Sequence, residues 1–515
     1  MCDGYGIFGG GGTFCAGLQL PVGPNGNVAA QVTGIPSSVP ILVLDSDETL
    51  YFEWFKCRTA PKLPGSFRSS FWLTLLFQAC VSEPAVLHGV LALSTVHKSA
   101  IVDEERQSEA KGEQEQLTLA HYSKAIKHLQ PHFSIKSSAS LRVALVACLV
   151  FVTLELLRGH LQAAQIHLGN GLKILRDNPV VAYGEHADDS IVEAFLRFKI
   201  QLNLLGYTDE QQYPDLAIPQ WQPPTSSFGS LKDAWKELGR LQNEPFRLSR
   251  QRRSLTLRGV WSSQGLQALL ARQEDLRRGL AEWLPKYEAL RKVASRGWSS
   301  DVEKAFHIPY VYHAMTAIMA ETCLAPGGES TFDDHTAKFV TLIRYLADVW
   351  KATRGMQTTR QGIPAVTHPV EISRSIVDLG WIPALYYVAT KCRVHRIRIQ
   401  ALRLLRCTSH REGIWDSITA ACVAAKVVQI EENGFYDVED LADDFPLTSY
   451  PSAQDLSLPM IPESRRVSNI EFVLSGDPVK TIKMSCQRKD ERGACKFLEL
   501  EYSLSEGRWT RPGTI

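Results

Sequence analysis

Between Asp45 and Glu432 apolar residues recur at intervals of three and four with few interruptions, and this periodicity restricts the chain to packed helices. Val86, Leu87, Val90, Leu91, Leu93 and Val96 form one broad stripe. Leu119, Tyr122, Ala125, Ile126 and Leu129 form another at i, i+3, i+4, i+7 spacing. The most apolar run is Val143–Val152 (VALVACLVFV), continuing as TLELL. A bilayer-spanning helix needs about 20 apolar residues. Arg142 and Glu155 bracket something shorter, so this run is read as a buried core helix and no membrane partner is expected.

Breaker residues divide the pattern. Pro84 suits the first turn of a helix, and Pro131 is read as ending the helix that carries Tyr122. Ordered stretches at 190–206 and from Gly265 onward flank a polar, proline-rich region, in which RLSRQRRSLTLR (247–258) is read as a loop. The block from Ser373 reads as three helices closed by Asn433-Gly434. After a stretch rich in Asp, Ser and Pro (438–463) the period drops to two. RVSNIEFVLS, VKTIKMSCQR and CKFLELEYSL then predict three strands. The expected fold class is therefore all-α, a multi-helix bundle with a small C-terminal β-hairpin or three-stranded sheet. The expected division is a flexible Gly/Pro-rich tail (1–44), a helical body (45–435), a linker (436–463) and a β element packed on the body (464–515). A tetratricopeptide texture around HYSKAI and HLGNGLKIL finds no second copy at a fixed period of about 34 residues.

Chemistry is harder to find. The 515 residues are 44% hydrophobic and 22% charged with net charge +1, which is globular and gives no overall cationic coat for nucleic acid. The eleven cysteines are scattered and contain no Cys-x-x-Cys, which suits reduced intracellular thiols better than a disulfide framework. The start, MCDGYGIFGGGGTF, lacks the basic and apolar regions of a secretory signal. His121 and His128 share a helical face while His132 follows Pro131; these, with His307 and His313, are read as structural rather than as metal ligands. No Gly-x-Ser-x-Gly or phosphate-binding loop is present; GIFGGGG is read as linker, and Gly169 and Gly171 as marks of close helix packing. No catalytic, cofactor-binding or metal residue is therefore assigned, and enzymatic activity is not expected. The basic set Lys391, Arg393, Arg396, Arg398, Arg403, Arg406 and Arg411 has two readings, a surface for phosphate or acidic partners and a solvated face over a core helix. Arg250, Arg252 and Arg253 are read as a nuclear-localisation run.

Several segments carry a resemblance. Tyr51, Phe52, Phe55, Thr59, Ala60, Phe71, Trp72, Gln78, Glu83, Pro84, Ala92, Leu93 and His97 fit the opening of the regulatory region of fungal zinc-binuclear-cluster transcription factors. HYSKAIKHL, HLGNGLKIL, DLGWIPALYYVATKCR and RIQALRLLRCTSHREGIWDS are similar to later elements of the same region, across roughly residues 45–510. The resemblance implies a nuclear transcriptional regulator whose helical body dimerises or binds co-regulators, with control of a metabolic or secondary-metabolite gene cluster. It also implies zinc held by six cysteines among basic residues. Residues 1–44 hold only Cys2 and Cys15 and no Lys or Arg, so direct DNA binding by that device is doubtful. A cluster-less paralogue and a cluster encoded upstream of Met1 both remain open, as does a helical scaffold outside transcription. The expected partners are co-regulators, a DNA-binding partner, or a second copy.

Overall fold

The computed structural model describes residues between Leu44 and Arg511 apart from short stretches, the longest being 217–226 and 355–374. The expected tail, residues 1–44, lies outside the described residues except for Leu44. Helix α1 (Ser46–Trp54) opens on a capping box: the Asp45 carboxylate accepts from the Glu48 amide at 2.8 Å, and the Glu48 carboxylate accepts from the Asp45 amide at 3.4 Å. Two π-helical turns, Phe55–Thr59 and Phe71–Leu75, follow and bury Phe55, Thr59, Phe71, Trp72 and Leu75. The second runs into α2 (Leu76–Ser82), which stops where Glu83 turns extended ahead of Pro84.

Helices α3 (Pro84–Val102), α4 (Ala110–Ser134), α5 (Ser138–Arg158) and α6 (Leu161–Asp177) form the first bundle. Every residue of α5 from Val143 to Leu157 is buried, which is why this segment shows no polar stripe. It is the one described helix long and apolar enough to cross a membrane, and 89% of its most apolar window is buried inside the protein. Pro131 does not end α4, which runs on to Ser134. Gly171 of α6 lets the helix meet α7 (Asp189–Leu204) closely, since a Cβ there would lie 2.3 Å from the Phe195 ring. The expectation that this glycine marks helix packing is met.

A second group follows: α8 (Leu231–Arg258), α9 (Ser263–Ala294), α10 (Ser300–Thr322) and α11 (Thr336–Arg354). Here one expectation fails, because RLSRQRRSLTLR is not a loop but the last turns of α8. The helix is polar apart from a narrow buried stripe of Ala234, Trp235, Leu238, Leu241 and Leu248, and Pro245 interrupts it. Both features hide a helix from pattern reading, while the Ser230 cap at its start is local and real.

The third group is α12 (Ile382–Lys391), α13 (His395–Arg406), a two-stranded hairpin β1 (Arg411–Glu412) and β2 (Trp415–Asp416), and α14 (Ser417–Glu432). Residues 443–457 are strapped across it: Gln400 donates to the Leu447 and Ser449 carbonyls, and the Arg396 guanidinium covers the Phe445 ring at 3.1 Å. The C-terminal sheet is an antiparallel meander of β3 (Val467–Ser475), β4 (Thr481–Lys489), β5 (Cys495–Ser503) and β6 (Arg508–Thr510). It has four strands rather than three; β6 is too short to display a period of two, and pairing of Trp509 with Tyr502 defines it. Val467, Phe472, Leu474, Ile482, Met484 and Cys486 turn inward and join the same continuous core as the helices.

Candidate functional site

A concavity lies where α7 and α8 meet the chain before α2 and before α12. Its volume is about 510 Å³ including solvent at its mouth, and Phe67, Trp72, Glu193, Arg197, Lys232, Trp235 and Asp378 line it. The Phe67 and Trp235 rings stack at 4.4 Å. The Arg197 guanidinium lies on the other aromatic contact, 4.2 Å from the Trp235 ring, and donates Nη2–H to the Trp235 carbonyl at 2.7 Å. Its buried Nη1 has no hydrogen-bond partner among the described residues. Gly239 leaves room for that guanidinium, since a Cβ there would approach Nη1 to 3.1 Å. The Trp235 Nε1–H donates to Asp378 at 3.3 Å, and the Leu379 amide donates to the same carboxylate at 2.7 Å. Burial raises the Asp378 pKa, with nearby Arg197 opposing the rise. The cleft thus brings flat apolar walls together with Arg197, Lys232 and the carboxyl groups of Asp378 and Glu193, the last 3.9 Å from the Arg197 guanidinium.

Of the basic set read from α12–α13, Arg393, Arg396 and Arg398 are buried, Lys391, Arg403 and Arg411 are half-buried and Arg406 is exposed. Arg393 and Arg398 have 0% side-chain exposure and grip Glu431, itself at 0%. Lys391 and Arg393 also reach Glu329, and Arg411 donates to the Leu156 carbonyl at 2.7 Å. Neighbours on several sides of α13, with the carboxylates of Glu329, Glu431 and Glu432, turn this run inward. The residues behind the resemblance near Gly380 and Glu412 have a similar structural task. The buried Glu412 carboxylate accepts from the amides of Gly380, Trp381 and Ile382 at 3.0, 2.9 and 2.9 Å, capping α12, and a Cβ on Gly380 would lie 2.3 Å from it.

Of the nuclear-localisation run, Arg250 pairs with Asp215 and Asn203, Arg252 donates to the Ala325 carbonyl, and Arg253 is half-exposed, 3.6 Å from Glu471. His313 donates Nε2–H to the Leu280 carbonyl at 3.0 Å, and His307 packs edge-on to Tyr345. His132 turns to Glu83 at 3.5 Å. His121 and His128 do share a face, and His88 of α3 stacks between them with ring centroids 5.4 and 5.7 Å away. Burial first, then the charge of neighbouring groups, lowers the His88 pKa to about 4, and burial lowers that of His121. His88 has no sequence signal, because it sits on a different helix.

The six-thiolate zinc cluster implied by the resemblance has no donor set here. The chain has no Cys-x-x-Cys, and the buried cysteines Cys80, Cys148, Cys392 and Cys486 lie in separate elements. Burial pushes the Cys148 and Cys392 thiols up to about 12, far from thiolate at neutral pH.

Residues 50–291 match the fungal-specific transcription factor domain. The aspercryptin biosynthesis cluster-specific transcription regulator of Emericella nidulans is 22% identical over 467 residues, which covers 76% of this chain and 74% of that protein. No solved structure matches.

Proposed function

We propose that this chain, a fungal transcription regulator built on the fungal-specific transcription factor domain, controls the genes of one biosynthetic cluster from the nucleus. The observation that carries the reading is the coincidence of two facts. The domain match spans α1 into α9, the first part of the helical body, and the cluster-specific relative aligns over three-quarters of both chains. On this reading the helical body meets DNA through a DNA-binding partner. The cleft at Arg197 and Trp235 is the place for a small effector, whose binding tells the body when to engage that partner.

Deleting the gene and profiling transcripts tests this. Coordinated loss or gain of one contiguous set of biosynthetic transcripts is expected; an unchanged transcriptome rejects the reading. A fluorescent fusion separates it from a cytoplasmic scaffold, and the R252A/R253A fusion asks whether that run directs import. Tight, zinc-dependent, site-specific gel shift by the purified chain alone would overturn the route through a partner.

A further inference from the structure

We infer that Glu48, His88 and His121 form a binding site for a single zinc ion, unrelated to any cysteine cluster. The three residues come from three helices, α1, α3 and α4, yet one ligand atom from each lies within 4.8 Å of the other two. His88 Nδ1 and His121 Nδ1 are 3.3 Å apart. Two nitrogens bound to one tetrahedral zinc at 2.0–2.1 Å stand about 3.3 Å apart, so the imidazole pair already spans one edge of that tetrahedron. The Glu48 Oε1 is 3.9 Å from His88 Nδ1 and within 4.8 Å of the His121 ligand atom, so completing a face requires it to move in by about 0.5–1.5 Å. A glutamate side chain covers that distance by small torsional adjustments.

The surroundings favour a metal over a chance meeting of side chains. His121 is buried and the side chains of Glu48 and His88 are each 13% exposed, so the donors are largely dehydrated but open on one side. A fourth ligand, water, can enter there. The capping box with Asp45 orients Glu48, whose second oxygen accepts the Asp45 amide. Stacking of His88 between His121 and His128 holds its ring plane. Two imidazoles and one carboxylate suit zinc better than calcium or magnesium, which prefer all-oxygen shells. The opposing feature is Lys124, whose ammonium is 3.7 Å from Glu48 Oε1. Its side chain is 53% exposed, so the pair is weak and the ammonium can swing into water when an ion arrives. The ion would staple α1, the first element of the body, onto the α3–α4 pair.

Cobalt titration of the chelator-treated full chain tests the site, since tetrahedral cobalt absorbs visibly. One equivalent of saturable cobalt, displaced by zinc, is expected, with a rise in melting temperature on zinc addition. H88Q should abolish the cobalt band, and E48Q should weaken zinc by about tenfold or more. Both positions are only partly buried, and far-UV circular dichroism confirms that the variants fold. K124M should tighten binding by removing the competing ammonium, an effect with no counterpart if the histidines merely hydrogen-bond to one another. A wild-type chain with no saturable cobalt band, or one whose band is unchanged in folded H88Q, would overturn the assignment.

Discussion

Removing the Glu431 carboxylate should unseat both the third helical group and the C-terminal sheet. Glu431 lies in the last turn of α14 with no side-chain exposure, and three donors converge on it: Arg393 at 2.9 Å, the Val467 amide at 2.7 Å, and Arg398. In Glu431→Ala both guanidiniums stay buried, with only Glu329 and Glu432 to balance them. Breaking one partner of a buried ionic set costs about 3–5 kcal/mol. The Val467 amide, left without its acceptor at the start of β3, places the loss towards the upper end of that range. Glu431→Leu combined with Arg398→Leu should recover a substantial part of the loss, because the remaining Arg393 keeps Glu329. Urea unfolding followed by circular dichroism and tryptophan fluorescence measures the loss, and limited proteolysis reports whether the sheet detaches first. A loss below about 1 kcal/mol for Glu431→Ala would refute the argument. So would a double variant as unstable as the sum of its single changes.

Acid should act on the same cluster. Burial alone would raise the pKa of Glu431 and Glu329, but Arg398, Arg393 and Lys391 outweigh it and hold both below the ordinary 4.5. Their contribution is then fully present above about pH 4.5 and is lost as pH falls through the folded values, so urea midpoints should drop steeply there and less so in Glu431→Ala. Gly171→Ala, which forces a Cβ into the Phe195 ring, should destabilise by about 1–3 kcal/mol. Gly112→Ala, in α4 with nothing within 4 Å of the new Cβ, should stabilise by about 0.5–1 kcal/mol, and thermal melts of the two variants compare them directly. In the cleft, Arg197→Met should abolish thermal stabilisation by small aromatic carboxylates while Arg253→Met leaves it intact; equal stabilisation of wild type and Arg197→Met would remove the effector reading.

The helices were readable wherever one face is buried and the other wet, because that asymmetry stamps a 3.6-residue period on the segment itself. It held for the stripe of α3 and, through sheer apolarity, for α5, but only in part for α4, where Ala125 and Leu129 are buried while Leu119 and Ile126 stay exposed. It failed for α8, where a narrow stripe and Pro245 masked the period, and for β6, which is only three residues long. The arginines of α13 misled for a related reason: charge in a sequence signals water until a carboxylate from elsewhere supplies the counter-charge, and Glu431 and Glu329 are remote from them in the chain.

The sites were less readable still. The cleft draws on segments around Phe67, Arg197, Trp235 and Asp378, and the zinc site joins Glu48, His88 and His121 across three helices. Helical class, the buried apolar run and the switch to strands follow from short-range patterns, since burial and backbone pairing act on neighbouring residues. Which charges meet, which glycine admits a ring and which histidines converge depend on distances between segments far apart in the chain, and only the packing of the core sets those distances.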